Sequence, residues 1–378
     1  MSSTKMRIAF IISEDWFFVS HFIPMLRAAQ EAGLETVIIT RVGKHRDLLE
    51  KLGSRVVALN VERRDVGPLS VASYVLRLAR ILRAERIGIV HCIALRSILL
   101  GGLAATLAGV RNRVLAVTGG GLLTANRGWK ARLSRGVIRA VIGLISLFGR
   151  NRFLFENTTD PASFGLTPQS SKVRIVPGAG VDPDFYENQP LPEGEGLKIA
   201  MVARMVWSKG ADLAVEAVSI ARERGHDVRL SLYGNPDPSN PRSLKEETLN
   251  AWSERPGIKW HGPTSDVREV WAAHDIACLP TRGGEGLPRS ILEAGACGRA
   301  ILTTDVPGCR DFVRDGQEGW LVPVDDANAL ADRICILAAD PKDIGTAGSS
   351  ARARVIEGYT ETTVRDLIRA LYETLAVN

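Results

Sequence analysis

The sequence predicts an α/β fold of two doubly wound domains, on two observations. Short apolar, β-branched runs recur along the chain and are nearly continuous rather than alternating, which is typical of parallel strands covered on both faces. Helix-period stretches lie between these runs, and alternating strands and helices with right-handed crossovers build a doubly wound sheet. Seven runs precede residue 182 and six follow residue 197, so two sheets are expected.

The predicted strands, in chain order, are residues 8–12, 36–40, 55–59, 87–91, 113–118, 153–157, 173–177, 198–203, 228–234, 258–262, 276–281, 300–304 and 319–324. The clearest helical stretches between them are residues 21–33, 68–85, 211–225 and 288–298. A last helical stretch, residues 360–376, has no strand after it. We expect this helix to cross back over the hinge between the domains.

The stretch 181–196 separates the two sets of strands and contains three prolines, two glycines and five acids, which indicates an interdomain linker. We therefore expect the following parts: an N-terminal Rossmann-like domain over 1–181, a linker over 182–196, a C-terminal Rossmann-like domain over 197–360, and a helix over 361–378 that returns toward the N-terminal domain. Ligands bind at the carboxyl ends of strands in open α/β sheets, so the two Rossmann-like domains should face a common cleft.

The composition is that of an ordinary globular protein, because 45% of its 378 residues are hydrophobic and 24% are charged. The five cysteines are scattered without a CxxC motif, so neither a disulfide framework nor a structural zinc site is expected. The N-terminus lacks the apolar core of a signal peptide, and no apolar run approaches the roughly 20 residues of a spanning helix. We therefore expect a cytoplasmic protein that does not cross a membrane.

Charge differs sharply between the two halves of the chain. Residues 1–181 contain 26 Lys and Arg against 11 Asp and Glu, whereas residues 182–378 contain 22 against 31. The basic half favours a polyanion or an anionic lipid surface. Residues 127–152 contain seven basic residues, no acid and many apolar ones, which favours a helix lying on an anionic membrane surface. A core helix with a solvated cationic end is the alternative.

The strongest motif is the stretch 283–298, which reads GGEGLPRSILEAGACG and follows a predicted strand. Its glycines allow the backbone to turn close to a ligand, and Pro288 suits the first turn of the following helix. Backbone N–H groups over 287–290 would then form an anion site. Glu285 and Glu293 can both face that ligand and accept hydrogen bonds from sugar hydroxyls. Alternatively, Glu285 caps the helix and Glu293 lies on a solvated face.

A second motif is VARMVWSKGAD, residues 202–212, which also follows a predicted strand. It places Arg204 and Lys209 between a strand end and the N-terminus of a helix. A planar guanidinium and an ammonium at this position suit a diphosphate. A solvated loop between strand and helix is the alternative.

Together these features resemble glycosyltransferase family 4 of the GT-B architecture. The resemblance lies in ARM…KG, in the glycines of YGN and WHGP, in E-G-L-P-x-x-x-x-E and in VPGAGVD at 176–182. It implies a retaining transferase with a nucleotide-diphosphate sugar donor. It also implies that Arg204 and Lys209 hold the diphosphate, that Glu285 contacts the donor sugar and that Glu293 binds the ribose. The expected donor-binding residues are Arg204, Lys209, Gly234, Thr281, Gly286, Leu287, Pro288 and Glu293.

The N-terminal domain is similar to family members that extend bacterial polyprenyl-diphosphate-linked sugars, through its DWFFVSHFIPML opening and the stretches 90–97 and 116–124. It departs from the family in having SEDWFFVSH where many members carry a Gly-Gly pair. His91 ends the fourth predicted strand, so we expect it to point toward the cleft and to act in catalysis. A structural histidine is the alternative, and His21 could be a helix cap. The expected acceptor-side residues are Ser13, His21, Thr118, Gly119 and Gly120.

The resulting hypothesis is a retaining hexosyltransferase that uses a nucleotide-diphosphate sugar, expected to be UDP-linked, and a lipid-linked saccharide acceptor at the inner face of the cytoplasmic membrane. Arg204, Lys209, Glu285 and His91 are its expected catalytic residues, and no metal or other cofactor is expected. Two alternatives remain: a nucleotide-sugar-sensing protein that binds nucleic acid or membrane without transfer, and a nucleotide-sugar epimerase. A nucleic-acid partner is not favoured, because the basic residues are spread over many helices and aromatic residues are only 6%.

Overall fold

The computed structural model describes residues 5–59, 67–119 and 129–377, with the backbone alone at 129–132, 134 and 135. The chain divides into two compact units. The N-terminal unit comprises Met1–Ala179 and Glu361–Asn378, and the C-terminal unit comprises Gly180–Thr360. The last helix therefore belongs to the same unit as the start of the chain.

The sheet of the N-terminal unit has seven parallel strands within the described residues. They are β1 (Arg7–Glu14), β2 (Glu35–Arg41), β3 (Arg55–Ala58), β4 (Ile87–Ile93), β5 (Asn112–Val117), β6 (Arg150–Phe155) and β7 (Val173–Ile175). Their order across the sheet is β3-β2-β1-β4-β5-β6-β7. The direction of winding reverses between β1 and β4, which is the switch point where such sheets bind ligands.

Helices connect these strands. They are α1 (Asp15–His21), α2 (Ile23–Glu31), α3 (Arg46–Lys51), α4 (Pro68–Ala84), α5 (Ala94–Ala108), α6 (Trp129–Leu147) and α7 (Asp160–Ser163). Over the described parts of both units, no helix is long and apolar enough to span a membrane.

The C-terminal unit repeats the same topology with six described parallel strands. They are β8 (Leu197–Val202), β9 (Val228–Tyr233), β10 (Ile258–Gly262), β11 (Ile276–Leu279), β12 (Ala300–Thr304) and β13 (Gly319–Val322). Their order is β10-β9-β8-β11-β12-β13, so β8 and β11 flank the switch point of this sheet.

The helices of the C-terminal unit are α8 (Ala211–Glu223), α9 (Glu246–Ser253), α10 (Val267–Ala272), α11 (Arg289–Ala296), α12 (Pro307–Phe312), α13 (Ala327–Ala339) and α14 (Lys342–Gly358). A short 3-10 helix, Trp207–Lys209, precedes α8. The final helix, α15 (Glu361–Ala376), returns to the N-terminal unit.

The N-terminal sheet buries a separate apolar layer on each face, because alternate residues of a strand point to opposite faces. Ile8 and Phe10 of β1 join a cluster with residues of α1, α2 and α15. Ala9 and Ile11 join a cluster with residues of α4 and α5. Helices therefore cover both faces of this sheet, which explains its nearly continuous apolar strands.

The predicted α/β fold is confirmed, and each of the thirteen predicted strands corresponds to an observed strand. Two local expectations differ from the structure. The helical stretch expected over 21–33 corresponds to α2 alone, which begins at Ile23, and the separate helix α1 ends at His21 just before it. Pro24 lies in the first turn of α2, where a missing N–H is tolerated. Strand β4 continues to Ile93, two residues beyond its expected end at His91.

The stretch 182–196, which we predict to be a linker, lies within the C-terminal unit. Tyr186 is buried, and Arg352 of α14 donates a hydrogen bond to its carbonyl oxygen at 2.9 Å. Arg299 donates to the carbonyl oxygen of Pro190 at 2.6 Å. Side chains of the C-terminal unit therefore hold much of this stretch in place, and its role as a linker stays a prediction.

Candidate functional site

Most of the predicted donor residues follow β8 and β11, the strands on either side of the switch point of the C-terminal sheet. Arg204 follows β8, and Lys209 ends the 3-10 helix a few residues later. The two loops touch at Gly210, whose φ is +78° and where an added Cβ would lie 2.0 Å from the carbonyl oxygen of Pro280. Only glycine fits this approach, and it brings Lys209 against the loop after β11.

Lys209 forms an ion pair with Glu285, and both side chains are largely buried. The hydroxyl of Thr281 lies 2.8 Å from the second carboxylate oxygen of Glu285 and 3.0 Å from the carbonyl oxygen of Ser208. Thr281 itself is fully buried. This hydroxyl therefore links the loop that carries Glu285 to the turn that carries Lys209.

Arg204 is more exposed than Lys209, with 51% of its side chain accessible. Its Nη1 lies 2.6 Å from Oδ2 of Asp237, in the loop after β9. Each of the two candidate phosphate-binding cations thus has a carboxylate partner, Glu285 for Lys209 and Asp237 for Arg204. The Asp237 partner was not anticipated from the sequence.

Glu293 lies in α11, and its carboxylate is buried. One of its oxygens accepts hydrogen bonds from the hydroxyl of Tyr186 at 3.0 Å and from Nε of Arg289 at 2.9 Å. Burial raises the pKa of this carboxyl, and the charge of Arg289 opposes the rise. The alternative of a solvated surface position is therefore wrong for Glu293.

The glycines of the motif serve two different purposes. Gly283 and Gly284 have φ of +89° and +83°, so they make the sharp turn that the sequence predicted. Gly286 instead lies against α12, where a Cβ on Gly308 would sit 1.5 Å from its carbonyl oxygen. The close approach there requires the glycine at 308, and Gly234 is a packing glycine in the same way, since its Cβ would sit 1.8 Å from the carbonyl oxygen of Ala203.

The N-terminus of α11 differs slightly from the expectation. Pro288 is the N-cap residue, and the helix begins at Arg289 rather than at the proline. Leu287 is buried and belongs to the apolar core of the C-terminal unit. The loop is therefore anchored by its own apolar residue just before the helix begins.

The sequence did not predict a set of contacts made by Arg282, which we call the clamp behind Lys209. The buried guanidinium of Arg282 pairs with both oxygens of Asp212, at 2.8 and 2.7 Å, and with Asp325 at 2.5 Å. It also donates to the carbonyl oxygen of Trp207 at 2.6 Å and lies 4.3 Å from the centroid of that ring. These contacts hold the 3-10 helix that ends at Lys209. The sequence signal, one arginine in TRGG and one aspartate in KGAD, is too short to reveal the pairing.

The expectation for His91 is wrong. Its ring is fully buried within β4 and packs against Phe10 and Tyr372, with Nδ1 2.6 Å from the Tyr372 hydroxyl. Burial lowers the pKa of the imidazole to about 3, so the ring is neutral at ordinary pH. Because the strand runs two residues further than predicted, His91 lies within it rather than at its end. Its side chain faces the apolar layer under α15, as those of Ile89 and Ile93 do. It is a structural histidine in this arrangement.

Four of the predicted acceptor-side residues lie in the described part of the N-terminal unit. Ser13 lies in β1 and Thr118 directly follows β5, and both are partly exposed. His21 ends α1 rather than starting a helix, and its Nδ1 lies 2.7 Å from the Ser20 hydroxyl. Gly119 has a φ of +111°. Gly120 lies outside the described residues.

Two family models match the chain. A glycosyl transferase 4-like model matches residues 7–142, and a glycosyl transferases group 1 model matches residues 196–340. One curated relative is the N,N'-diacetylbacillosaminyl-diphospho-undecaprenol alpha-1,3-N-acetylgalactosaminyltransferase of Campylobacter jejuni. It is 27% identical, over 99% of this chain and 100% of that protein.

Solved structures share the fold at lower identity. Anabaena HepE in complex with UDP and glucose has a TM-score of 0.77 at 17% identity, covering 98% of this chain and 100% of that one. The sucrose-phosphate synthase of Thermosynechococcus elongatus has a TM-score of 0.77 at 18% identity, covering 99% and 100%. The two doubly wound domains are thus those of the GT-B architecture. With both family models matched in order, the chain belongs to the glycosyltransferases that join a family 4-like N-terminal domain to a group 1 C-terminal domain.

Proposed function

We propose that this glycosyltransferase moves a hexose or N-acetylhexosamine from a UDP-linked or similar nucleotide-diphosphate donor to a hydroxyl of a lipid-linked saccharide, with retention at the anomeric carbon. The observation that carries the proposal is the meeting of Lys209, Glu285 and Thr281 at the switch point, with Arg204 on the same edge. The relative from Campylobacter jejuni is named for an undecaprenol-diphosphate-linked acceptor, and HepE was crystallised with UDP, which supports both substrate classes.

In this proposal Lys209 and Arg204 bind the donor diphosphate. Arg204 offers a planar fork that matches phosphate oxygens, and Lys209 offers a compact charge. Glu285 then accepts hydrogen bonds from the donor sugar, while Thr281 keeps its carboxylate in place. Glu293 binds the ribose hydroxyls once its hydrogen bonds with Tyr186 and Arg289 rearrange.

Catalysis would be mainly electrostatic. When the bond between the anomeric carbon and the diphosphate oxygen breaks, negative charge collects on the departing diphosphate, and the two cations stabilise it. The acceptor hydroxyl oxygen forms the new bond on the same face, and its proton passes to an oxygen of the departing phosphate. The protein's part is to bind, orient and neutralise, so we expect transfer without a divalent metal.

An exposed apolar stripe on α6 supports binding at a membrane surface. Leu133, Val137, Leu144 and Leu147 are 62%, 56%, 49% and 77% exposed, and their spacing places them on one face of a helix. Ile142 and Ile145 are buried on another face. The core-helix alternative thus explains one face only. We propose that the stripe, with the basic residues of 127–152, binds anionic lipid at the inner face of the cytoplasmic membrane.

Transfer is tested with purified full-length protein, a panel of nucleotide-diphosphate sugars and a synthetic polyprenyl-diphosphate-linked saccharide. We expect one donor to raise the melting temperature and to yield a longer lipid-linked saccharide with the α configuration retained, in buffer containing EDTA. Isomerisation of the donor without an acceptor would instead support the epimerase hypothesis. Stabilisation by a nucleotide with no transfer to any acceptor would support the binding-protein hypothesis.

Membrane binding is tested by sedimentation with vesicles of phosphatidylglycerol and phosphatidylcholine. We expect Leu147→Glu to reduce the bound fraction, because it places an acid on the apolar stripe. Leu107→Glu is the matched control, since Leu107 is 47% exposed in α5, outside the stripe. Equal binding of wild type and Leu147→Glu would contradict the assignment of this surface.

A further inference from the structure

Asp237 is held more firmly than its partner Arg204. Its Oδ1 accepts hydrogen bonds from the backbone N–H of Ser239 at 3.0 Å and from the Ser239 hydroxyl at 2.6 Å. Its own N–H donates to the hydroxyl of Ser243 at 2.8 Å. Only 16% of the Asp237 side chain is exposed, against 51% for Arg204. Of the two partners, the guanidinium is therefore the one with more freedom to move.

Backbone hydrogen bonds join the loop that carries Asp237 to the segment that carries Arg204. The N–H of Met205 donates to the carbonyl oxygen of Asn235 at 2.8 Å, and the N–H of Leu244 donates to that of Met205 at 2.9 Å. The guanidinium of Arg242 stacks on Trp207 with its Cζ 3.1 Å from the ring centroid. These contacts therefore fix the Asp237 carboxylate in place beside Arg204.

We propose that Asp237 is an internal counter-ion that competes with the donor diphosphate for Arg204 and thereby sets the donor affinity. This inference rests on the proposed function. A carboxylate and a phosphate present the same kind of paired oxygen acceptors to a guanidinium, so Arg204 must leave or share Asp237 to bind the donor. In the absence of donor, Asp237 neutralises the charge of Arg204, and Glu285 neutralises the charge of Lys209.

The ionisation of Asp237 agrees with this role. Burial alone would raise the pKa of its carboxyl, but hydrogen bonds from Ser239 and Arg204 outweigh burial and lower the pKa. The group is therefore an anion at neutral pH, as its pairing with the guanidinium of Arg204 requires.

The test is Asp237→Asn, which keeps the oxygen that Ser239 binds and removes the charge. Titration calorimetry with UDP and with inorganic pyrophosphate measures affinity, and KM for the donor is measured in the transfer assay. We expect binding about two- to fivefold tighter, which is the range for releasing a half-exposed ion pair. Unchanged or weaker binding by the variant would overturn the inference.

Two controls isolate the competition for Arg204. In the background of Arg204→Gln, the Asp237→Asn change should give no gain; a gain that persists there would mean a general field effect and would overturn the inference. Asp266→Asn makes the same change of net charge at another aspartate paired with an arginine, Arg268 at 2.5 Å, and it should leave the affinity unchanged. An equal gain from Asp266→Asn would also overturn it.

The outcome also separates this inference from the proposed function. If wild-type protein binds neither UDP nor pyrophosphate, the diphosphate site itself is refuted. If wild type binds and Asp237→Asn binds equally, the site stands and only the competition is refuted.

Discussion

The sheets of the two units share the order of their first six strands. The residues at the end of the first strand carry opposite charges in the two units. At the end of β8, Arg204 and Lys209 lie beside the loop after β11. At the end of β1, the corresponding residues are acids, Glu14 and Asp15, and both are buried. The fold therefore supplies the location of a site, and the loop residues decide which ligand it can bind.

The acids of the N-terminal edge are engaged within their own unit. Glu14 pairs with Arg41 at 2.9 Å, and one oxygen of Asp15 accepts the backbone N–H groups of Gly43 and His45 at 2.6 and 3.1 Å. The two acids lie at this edge although residues 1–181 carry the basic excess of the chain. The net charge of one half of the chain therefore does not predict the sign of the charge at the carboxyl edge of its sheet.

The largest expected effect comes from Lys209→Ala. Removing a charge contact to the departing diphosphate should lower kcat about 10²- to 10³-fold while the protein stays folded. Steady-state transfer kinetics and circular dichroism measure the two. Lys342→Ala removes an exposed lysine of the same unit and should leave kcat unchanged. Normal turnover by Lys209→Ala would remove the functional contrast between the two edges.

The next largest effect is expected from Arg282→Ala, which breaks the clamp behind Lys209. Losing the contacts to Asp212 and Asp325 should destabilise the protein by about 2 kcal/mol. Misplacing Lys209 should lower kcat by up to about 10²-fold. Both are measured well below the melting temperature, by urea unfolding and by transfer rate.

A matched control for the clamp is Arg224→Ala, which removes an exposed pair with Asp332 at 2.5 Å. It should cost less than about 1 kcal/mol and leave kcat unchanged. If Arg282→Ala loses stability but keeps full kcat, the clamp supports the fold alone and does not position Lys209.

The smallest effect on transfer is expected from His91→Gln. The folded imidazole takes up a proton only near pH 3, whereas the unfolded one does so near its ordinary pKa of 6.5. Between these values the unfolded state binds more protons, so the protein loses stability as the pH falls from about 6.5 toward 3. Replacing His91 should weaken this dependence and leave transfer unchanged.

Urea unfolding at a series of pH values measures the His91 contribution, and the pH profile of kcat is recorded in parallel. A step in that profile that disappears in His91→Gln would show that the imidazole acts in transfer. Such a result would show that the N-terminal unit also contributes a catalytic group, so the two units would no longer differ in this respect.

Much of the site was predictable because its signals are local. The cations of 202–212 and the glycine turn of 283–298 each directly follow a strand, and the carboxyl ends of neighbouring parallel strands lie at one edge. That placement brings Lys209 and Glu285 to the same edge, but it does not predict that their side chains pair. The Asp237 partner and the Arg282 clamp did not follow, because they join residues 33 and 70 positions apart in the chain through individual side-chain directions.

The sequence by itself determined the α/β class, the two doubly wound sheets and the loops that carry the cations, since apolar periodicity and turn-forming glycines act over short distances. Tertiary structure alone decided that His91 is buried against Tyr372 and that Tyr186 reaches Glu293, because both contacts link residues more than a hundred positions apart. Which polar group is exposed to substrate and which is held inside depends on such distant packing, and no local pattern records it.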